Sequence, residues 1–223
     1  MRALPAALCA IGFVLGTATS AWAIAYKNPA HPFRGGDFTA GVFLESQNRP
    51  TTSDGLGDND LKFTNLVGSY GIGVADAGLL ELQLGILSGA AEGQDSASGF
   101  SYGLAYRHNL GSMGGNLQHG FLAGIHGGYA GNDTSDTYTT QIDAGYGLAN
   151  ALGPTSALYG GAVLSIFYGE IDIFGNQVYG FDGSSPVNLF VGMAFSSGDN
   201  LQMGAELHLI AETGFAFYVD SKF

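Results

Sequence analysis

Glu206-x-His208 and a lone His126 are the residues of this chain best equipped for acid/base or metal chemistry. A carboxylate and an imidazole two residues apart share one face of an extended strand, within reach of a common proton or ion. Two histidines without a close ligand cluster are, however, a thin basis for a metal site. Arg107-His108-Asn109 sets a further imidazole beside a guanidinium, but in a strand these two point to opposite faces. Asp54-x-x-x-Asp58-x-Asp60, with Asp182 in a second Gly-rich stretch, offers the oxygen donors that calcium takes. It lacks the full loop pattern and its terminal bidentate Glu, so solvated loops bridged by divalent ions are the plainer expectation. The glycines are spread evenly rather than gathered before a helix, so no phosphate-cradling loop and no cofactor are expected.

The elements that must position these groups are strands. Leu80, Leu82, Leu84 and Ile86 alternate with Glu81, Gln83 and Gly85. Phe100 to Arg107, Tyr138 to Leu148, Leu201 to Leu209 and Phe215 to Phe223 repeat the pattern. Period two sustained over nine to twelve residues means strands with one apolar and one polar face, longer than the usual ~5–6 residues. Ten such segments are expected, at about 37–46, 61–75, 79–89, 99–110, 119–130, 137–149, 156–172, 186–196, 200–210 and 213–223. The second carries a parity break between Phe63 and Leu66, read as a bulge or the point where it leaves the apolar layer. The seventh is apolar on both faces at 163–168, so its facing stays open.

Composition narrows the class. The chain has 223 residues, with Lys+Arg 7 against Asp+Glu 19 and Gly 37. Seven cations cannot build a nucleic-acid surface. The 15 Phe and 11 Tyr argue against disorder. So many glycines would cost a helical protein heavily.

Residues 1–23 read as a secretory signal peptide. Met1-Arg2 is followed by an apolar run, and Ala21-Trp22-Ala23 forms a small-x-small cleavage site. Cys9 falls within the leader, so the exported chain has no thiol or disulfide. Residues 24–36 are expected as a periplasmic lead-in and 37–223 as the membrane domain.

An exported sheet with apolar side chains at every second position, nine to twelve residues per strand, can cross a bilayer only by closing on itself. The expected fold is thus all-β: a transmembrane antiparallel up-and-down barrel of ten strands, eight if the second or seventh segment is mostly loop. Short connections at 76–78 and 197–199 alternate with long polar ones at 47–60, 90–98, 131–136 and 174–185. That places both termini on the short-turn side. Two connections break the rule: 111–118 is long for a short turn, and 211–213 is very short for an outer loop. Aromatics near strand ends, among them Phe38, Phe63, Phe100, Tyr106, Tyr138, Tyr159 and Phe195, are expected to form interfacial girdles.

If the apolar set faces lipid, Glu45, Glu81, Arg107, His126, Asp143, Glu206, His208, Tyr218 and Asp220 line the interior and constrict it. Arg107 is expected to pair with Glu81 or Asp143. Excess carboxylate in a confined space favours cations. Two readings follow: a narrow cation-preferring lumen for small solutes, or a barrel plugged by its own side chains.

The last segment resembles the terminal strand of bacterial outer-membrane β-barrel proteins, which end in an aromatic preceded by alternate apolar positions. Phe215, Phe217, Val219 and Phe223 match; Ser221 departs, since an apolar residue is usual there. The resemblance implies a small porin-like protein of the Gram-negative outer membrane. Its implied partners are the barrel-assembly machinery during biogenesis, then outer-membrane lipids and lipopolysaccharide. Arg107-His108 also invites comparison with lipid A deacylases, whose motif has a Ser two residues after the His. Here Leu110 stands there, so that activity is not carried over. A lipid hydrolase using another Ser, or a binding module acting through the outer loops, are the remaining alternatives.

Overall fold

Alternation along the chain is realised as strand over nearly its whole length. The computed structural model describes residues 25–53, 57–74, 76–91, 95–173, 177–198 and 200–223. The leader, Cys9 and Asp54 lie outside the described residues. The strands are β1 (Phe38–Ser53), β2 (Gly57–Val74), β3 (Gly78–Ala91), β4 (Ala97–Gly114), β5 (Leu117–Gly131), β6 (Ser135–Gly153), β7 (Ser156–Ile173), β8 (Gln177–Gly183), β9 (Val187–Ser197), β10 (Leu201–Ile210) and β11 (Thr213–Lys222). Every pairing is antiparallel. The last strand returns to the first, from Thr39↔Lys222 to Asn48↔Thr213, so ten strands close into a barrel.

The eleventh segment, β8, explains the very short 211–213 connection. Along β7, residues 156–164 pair with β9 and residues 168–173 pair with β8. Strands β8 and β9 thus form one line against β7, broken at 184–186. On their other side β8 meets the tip of β1, from Thr51↔Gly183 to Ser53↔Phe181. Nearer the termini the β10–β11 hairpin is wedged between β9 and β1. The wall therefore counts ten strands at the end that carries the termini and eight at the opposite rim, where β8 joins β1–β7. Ser184 N–H donates to Pro50 O at 3.1 Å, Ser165 N–H to Pro186 O at 2.7 Å and Ala211 N–H to Val187 O at 3.1 Å. Both prolines sit at the break, where no ladder hydrogen bond is asked of them.

Three expected connections prove to be strand. The β1–β2 ladder runs on to Ser53↔Gly57, so 47–60 is a hairpin rather than a long loop. The 174–185 stretch contains β8. The 111–118 stretch belongs to the β4–β5 hairpin, with register shifts at 109/111 and 112/114. The suspected bulge in β2 is absent: its register is continuous against both neighbours, and Leu61, Phe63, Asn65 and Val67 all face inward.

The outer wall is apolar. Leu82, Leu84 and Ile86 point outward, as do Leu104, Ile125 and Leu207. β7 resolves in the same sense: Leu164 and Ile166 are 62% and 63% exposed, whereas Val163, Ser165 and Phe167 are buried. Tyr106, His108 and Phe121 cluster outside near the terminal end, and Phe100, Tyr129 and Tyr138 near the far rim. Phe63 and Tyr159 do not belong to these girdles, because both point inward. Under the eight-stranded rim the interior is apolar as well. Leu61, Phe63, Leu87, Ala97, Ala130, Phe167, Ile171 and Phe181 pack there as one cluster.

Candidate functional site: a charged and plugged lumen

Residues 25–30 are buried inside the barrel at the terminal end, not spread beneath it as a lead-in. Lys27 adopts a positive φ of 55° and is wholly buried. Its Nζ donates to Asp220 Oδ1 at 2.8 Å, to both Glu81 carboxylate oxygens at 3.2 Å and to Ser69 Oγ at 3.3 Å. The ammonium also lies 5.3 Å from the Phe43 ring centre and 5.9 Å from that of Tyr218. Glu81 is shared, since Arg107 Nη2 donates to its Oε2 at 3.0 Å and Gln83 Nε2 to its Oε1 at 2.7 Å. Of the two expected partners for Arg107, Glu81 is the one paired. Phe33, from the same inserted segment, lies under the Arg107 guanidinium at 5.3 Å.

A second cluster surrounds the β10–β11 turn. Glu212 is fully buried there and accepts from Arg49, from Asn188 Nδ2 at 2.5 Å and faces His208 Nδ1 at 2.8 Å. The other imidazole nitrogen of His208 lies 2.6 Å from Glu206 Oε1, so the strand-face pairing read from Glu206-x-His208 is realised. Tyr26 stacks on this imidazole, ring centres 4.9 Å apart at 8°, and its backbone N–H donates to Glu206 Oε1 at 2.9 Å. Arg49 also donates to Gln141 Oε1 at 3.0 Å, and Gln141 Nε2 reaches both Asp143 oxygens at 3.0 Å. The Arg49 guanidinium lies 4.4 Å over Phe167, joining this cluster to the apolar rim plug.

The expected interior residues are thus divided. Glu81, Arg107, Tyr218 and Asp220 meet around Lys27, and Glu206, His208 and Asp143 belong to the cluster around Arg49. Glu45 stands between, accepting from Asn65 Nδ2 at 3.0 Å. His126 joins neither: its ring lies across Gly103 and Gly124, where any side chain would collide with it. Reasoning from sequence missed Tyr26, Lys27, Arg49 and Glu212, which lay in stretches read as lead-in, loop or turn. Among the described residues the lumen holds six carboxylates (Glu45, Glu81, Asp143, Glu206, Glu212, Asp220) against Lys27, Arg49, Arg107 and the imidazole of His208.

A cavity of about 150 Å³ opens beside Asn28, His31, Ala149 and Gln202 at the terminal mouth, but little space remains deeper in the lumen. The cavity bounded by Glu45, Asn65, Gln83, Ser101, His126 and Gln141 measures about 20 Å³, and one beside Tyr26 and Asp143 about 10 Å³. Each accommodates a water or two. Among the described residues no group of three or more His, Cys, Asp or Glu is placed to hold a metal ion. Asp58 instead accepts from Thr52 Oγ1 and Asp60 from Asn48 Nδ2, each tied to its own hairpin. No serine hydroxyl among the described residues hydrogen-bonds to His108, His126 or His208; His108 lies 3.0 Å from Tyr106 Oη on the outer face.

At the terminal mouth the inserted segment meets solvent. Asp37 lies 3.3 Å from Lys222 Nζ and accepts the Arg34 N–H at 2.9 Å. Burial, the largest single effect, pushes its carboxyl up, but the hydrogen bonds and charges of Arg34 and Lys222 together outweigh it and hold the group below the usual range. His31, 3.1 Å from Gln202 Nε2, is pushed down to about 4 by burial, with Arg107 and Lys222 adding to the effect. The displaced segment takes up a proton that the docked one refuses, so docking is strongest above pH 6.5 and weakens as pH falls from 6.5 toward 4. Hydrogen exchange of the 25–36 peptide, corrected for intrinsic rate, is expected to show protection falling about tenfold per pH unit in that window. A His31→Gln variant should flatten the dependence; an unchanged slope would rule His31 out as its source.

No family model matches the chain, and no curated protein matches it. Solved structures similar to it include an outer membrane channel from Pseudomonas putida F1, at 11% identity over 87% of this chain and 98% of that one, TM-score 0.44. The attachment invasion locus protein Ail of Yersinia pestis aligns at 12% identity over 85% and 99%, TM-score 0.42. The outer membrane protease OmpT of Escherichia coli aligns at 10% over 84% and 97%, TM-score 0.47. What places this chain is its own geometry. In hydrocarbon every backbone N–H and C=O needs a partner within the protein, a need that a closed ring of strands meets. With an apolar outer wall and charge sealed within, the chain has the fold of a transmembrane antiparallel β-barrel of ten strands.

Proposed function

We propose that this protein is an outer-membrane barrel held shut by its own N-terminal segment. At rest it has a structural role in the envelope, and it offers a narrow cation-preferring path when that segment is displaced. The observation that carries this reading is Lys27, fully buried and bridging Glu81 on β3 to Asp220 on β11 across the lumen. A cation at that point both neutralises the acidic interior and fastens the chain that fills it. Remove the segment and six inward carboxylates remain against Arg49, Arg107 and His208. That field attracts cations and repels anions. The apolar cluster at the rim makes a second barrier, so any path is narrow.

Planar-bilayer recording tests this. The intact barrel is expected to be electrically silent, and the barrel lacking residues 25–36 to show small, cation-preferring steps. Anion preference in the truncated barrel, or open steps of equal size in the intact one, would refute the reading.

A further inference from the structure

Glu45 and Thr139 each bury an oxygen that has no hydrogen-bond partner among the described residues, and both line the same cavity. Glu45 is 1% exposed; its Oε1 accepts from Asn65 Nδ2 at 3.0 Å, and Oε2 is the oxygen left over. Thr139 lies halfway round the wall on β6, is 4% exposed, and leaves Oγ1 unpartnered. Asn65, Gln83 and Ser101 complete the polar lining of this space of about 20 Å³. Ser101 Oγ donates to Asn65 Oδ1 at 2.8 Å, and each of these oxygens keeps a lone pair to offer. Gln83 gives its amide nitrogen to Glu81 and retains its carbonyl oxygen. Gly85 permits the approach, because a Cβ there would sit 2.5 Å from Ser101 Oγ and 2.6 Å from Asn65 Oδ1.

The lumenal cations are engaged elsewhere. Among the described residues Lys27 hydrogen-bonds to Glu81, Asp220 and Ser69, Arg107 to Glu81, and Arg49 to Glu212 and Gln141. A buried carboxylate left without a counter-charge is costly, so the cavity beside Glu45 calls for a cation from outside the chain. We propose that it is a sodium site, with one Na⁺ held by Glu45 Oε2, Thr139 Oγ1, Ser101 Oγ and the amide oxygens of Asn65 and Gln83. These donors are all hard oxygens, the kind that small hard cations take. One carboxylate balances one charge, which selects a monovalent ion over calcium. A space that holds a water or two admits a nearly bare small ion and excludes a fully hydrated or organic one. The five donors come from β1, β2, β3, β4 and β6, so the ion ties half the wall together across the lumen. The site is complete while residues 25–30 are docked, and it stands whether or not the lumen ever conducts.

The test is urea titration of the purified barrel in lipid vesicles, each sample unfolded and refolded in its own salt. Sodium chloride is compared with choline chloride at equal ionic strength, choline being too large for the cavity. Sodium is expected to stabilise the barrel along a saturable curve. Above half-saturation, each tenfold rise in Na⁺ should lower the unfolded-to-folded ratio about tenfold. Coincident curves in the two salts would overturn the site and leave Glu45 satisfied by its own proton. Glu45→Gln keeps the shape of the side chain and should abolish the sodium dependence; the same dependence in that variant would place the ion elsewhere and overturn the assignment. Thr139→Val removes one neutral ligand and should raise the half-saturating Na⁺ concentration by about tenfold or more. Should Glu45→Gln fail to fold, Thr139→Val decides: an unchanged half-saturation point would remove this cavity as the site.

Discussion

Glu212→Gln is expected to destabilise the barrel by about 3–5 kcal/mol, the usual cost of removing one partner of a buried ion pair. The substitution keeps the shape of the side chain and removes its charge. Arg49 would then lie fully buried with no counter-charge in contact, and its Nε and Nη1 already lack hydrogen-bond partners. Asn188 and His208 would each lose an ionised acceptor. The damage should centre on the β10–β11 turn, because Glu212 pins a hairpin whose Ile210 holds a φ of 88°. A β-branched residue in that region costs of order 1–3 kcal/mol and persists only where surrounding contacts enforce it. Urea titration in lipid vesicles, followed by circular dichroism and heat-modifiable gel migration, measures the loss. Arg49→Met alone should cost a similar amount. The double variant should be clearly more stable than the sum of the two, since neither charge is then stranded. Additive losses would show that the pair is not coupled.

Lys27→Met is expected to release the N-terminal segment while leaving the strands intact. It strips Asp220 of its cation and leaves Glu81 with Arg107 alone. The same stranded-charge cost of about 3–5 kcal/mol now falls on docking rather than on the whole fold. At about 1.4 kcal/mol per factor of ten, the displaced population should rise by about two to three and a half orders of magnitude. Trypsin cleavage after Arg34 in the folded protein is the readout, with heat-modifiable migration unchanged. The contrast is Lys222→Met, which removes a half-exposed rim pair with Asp37 at 3.3 Å. A solvent-screened pair is worth about 0–1 kcal/mol, so cleavage there should barely change. Equal effects from the two lysines would mean that the lumenal pairing of Lys27 does not hold the plug.

The membrane wall was legible in the residues because its signal is local. Side chains two apart share a face whatever lies across the sheet, so Leu80 to Ile86 declare both strand and orientation by themselves. The same rule placed Glu45, Glu81, Arg107, Glu206 and His208 inside before any pairing was known. It failed where both faces are polar. Gln47, Arg49, Thr51 and Ser53 point inward while Asn48, Pro50 and Thr52 point away, and nothing in that run separates a strand standing clear of the apolar belt from a loop.

What the tertiary structure alone decided is who meets whom. Arg49 finds Glu212 across 163 residues and Lys27 finds Asp220 across 193, through closure of the ring and insertion of residues 25–30 into it. Periodicity carries no information about such distant partners, because register is set by the whole circuit of ladders rather than by any one strand. The change from ten strands to eight likewise depends on β7 exchanging β9 for β8 at one level. Local alternation is the same on both sides of that exchange.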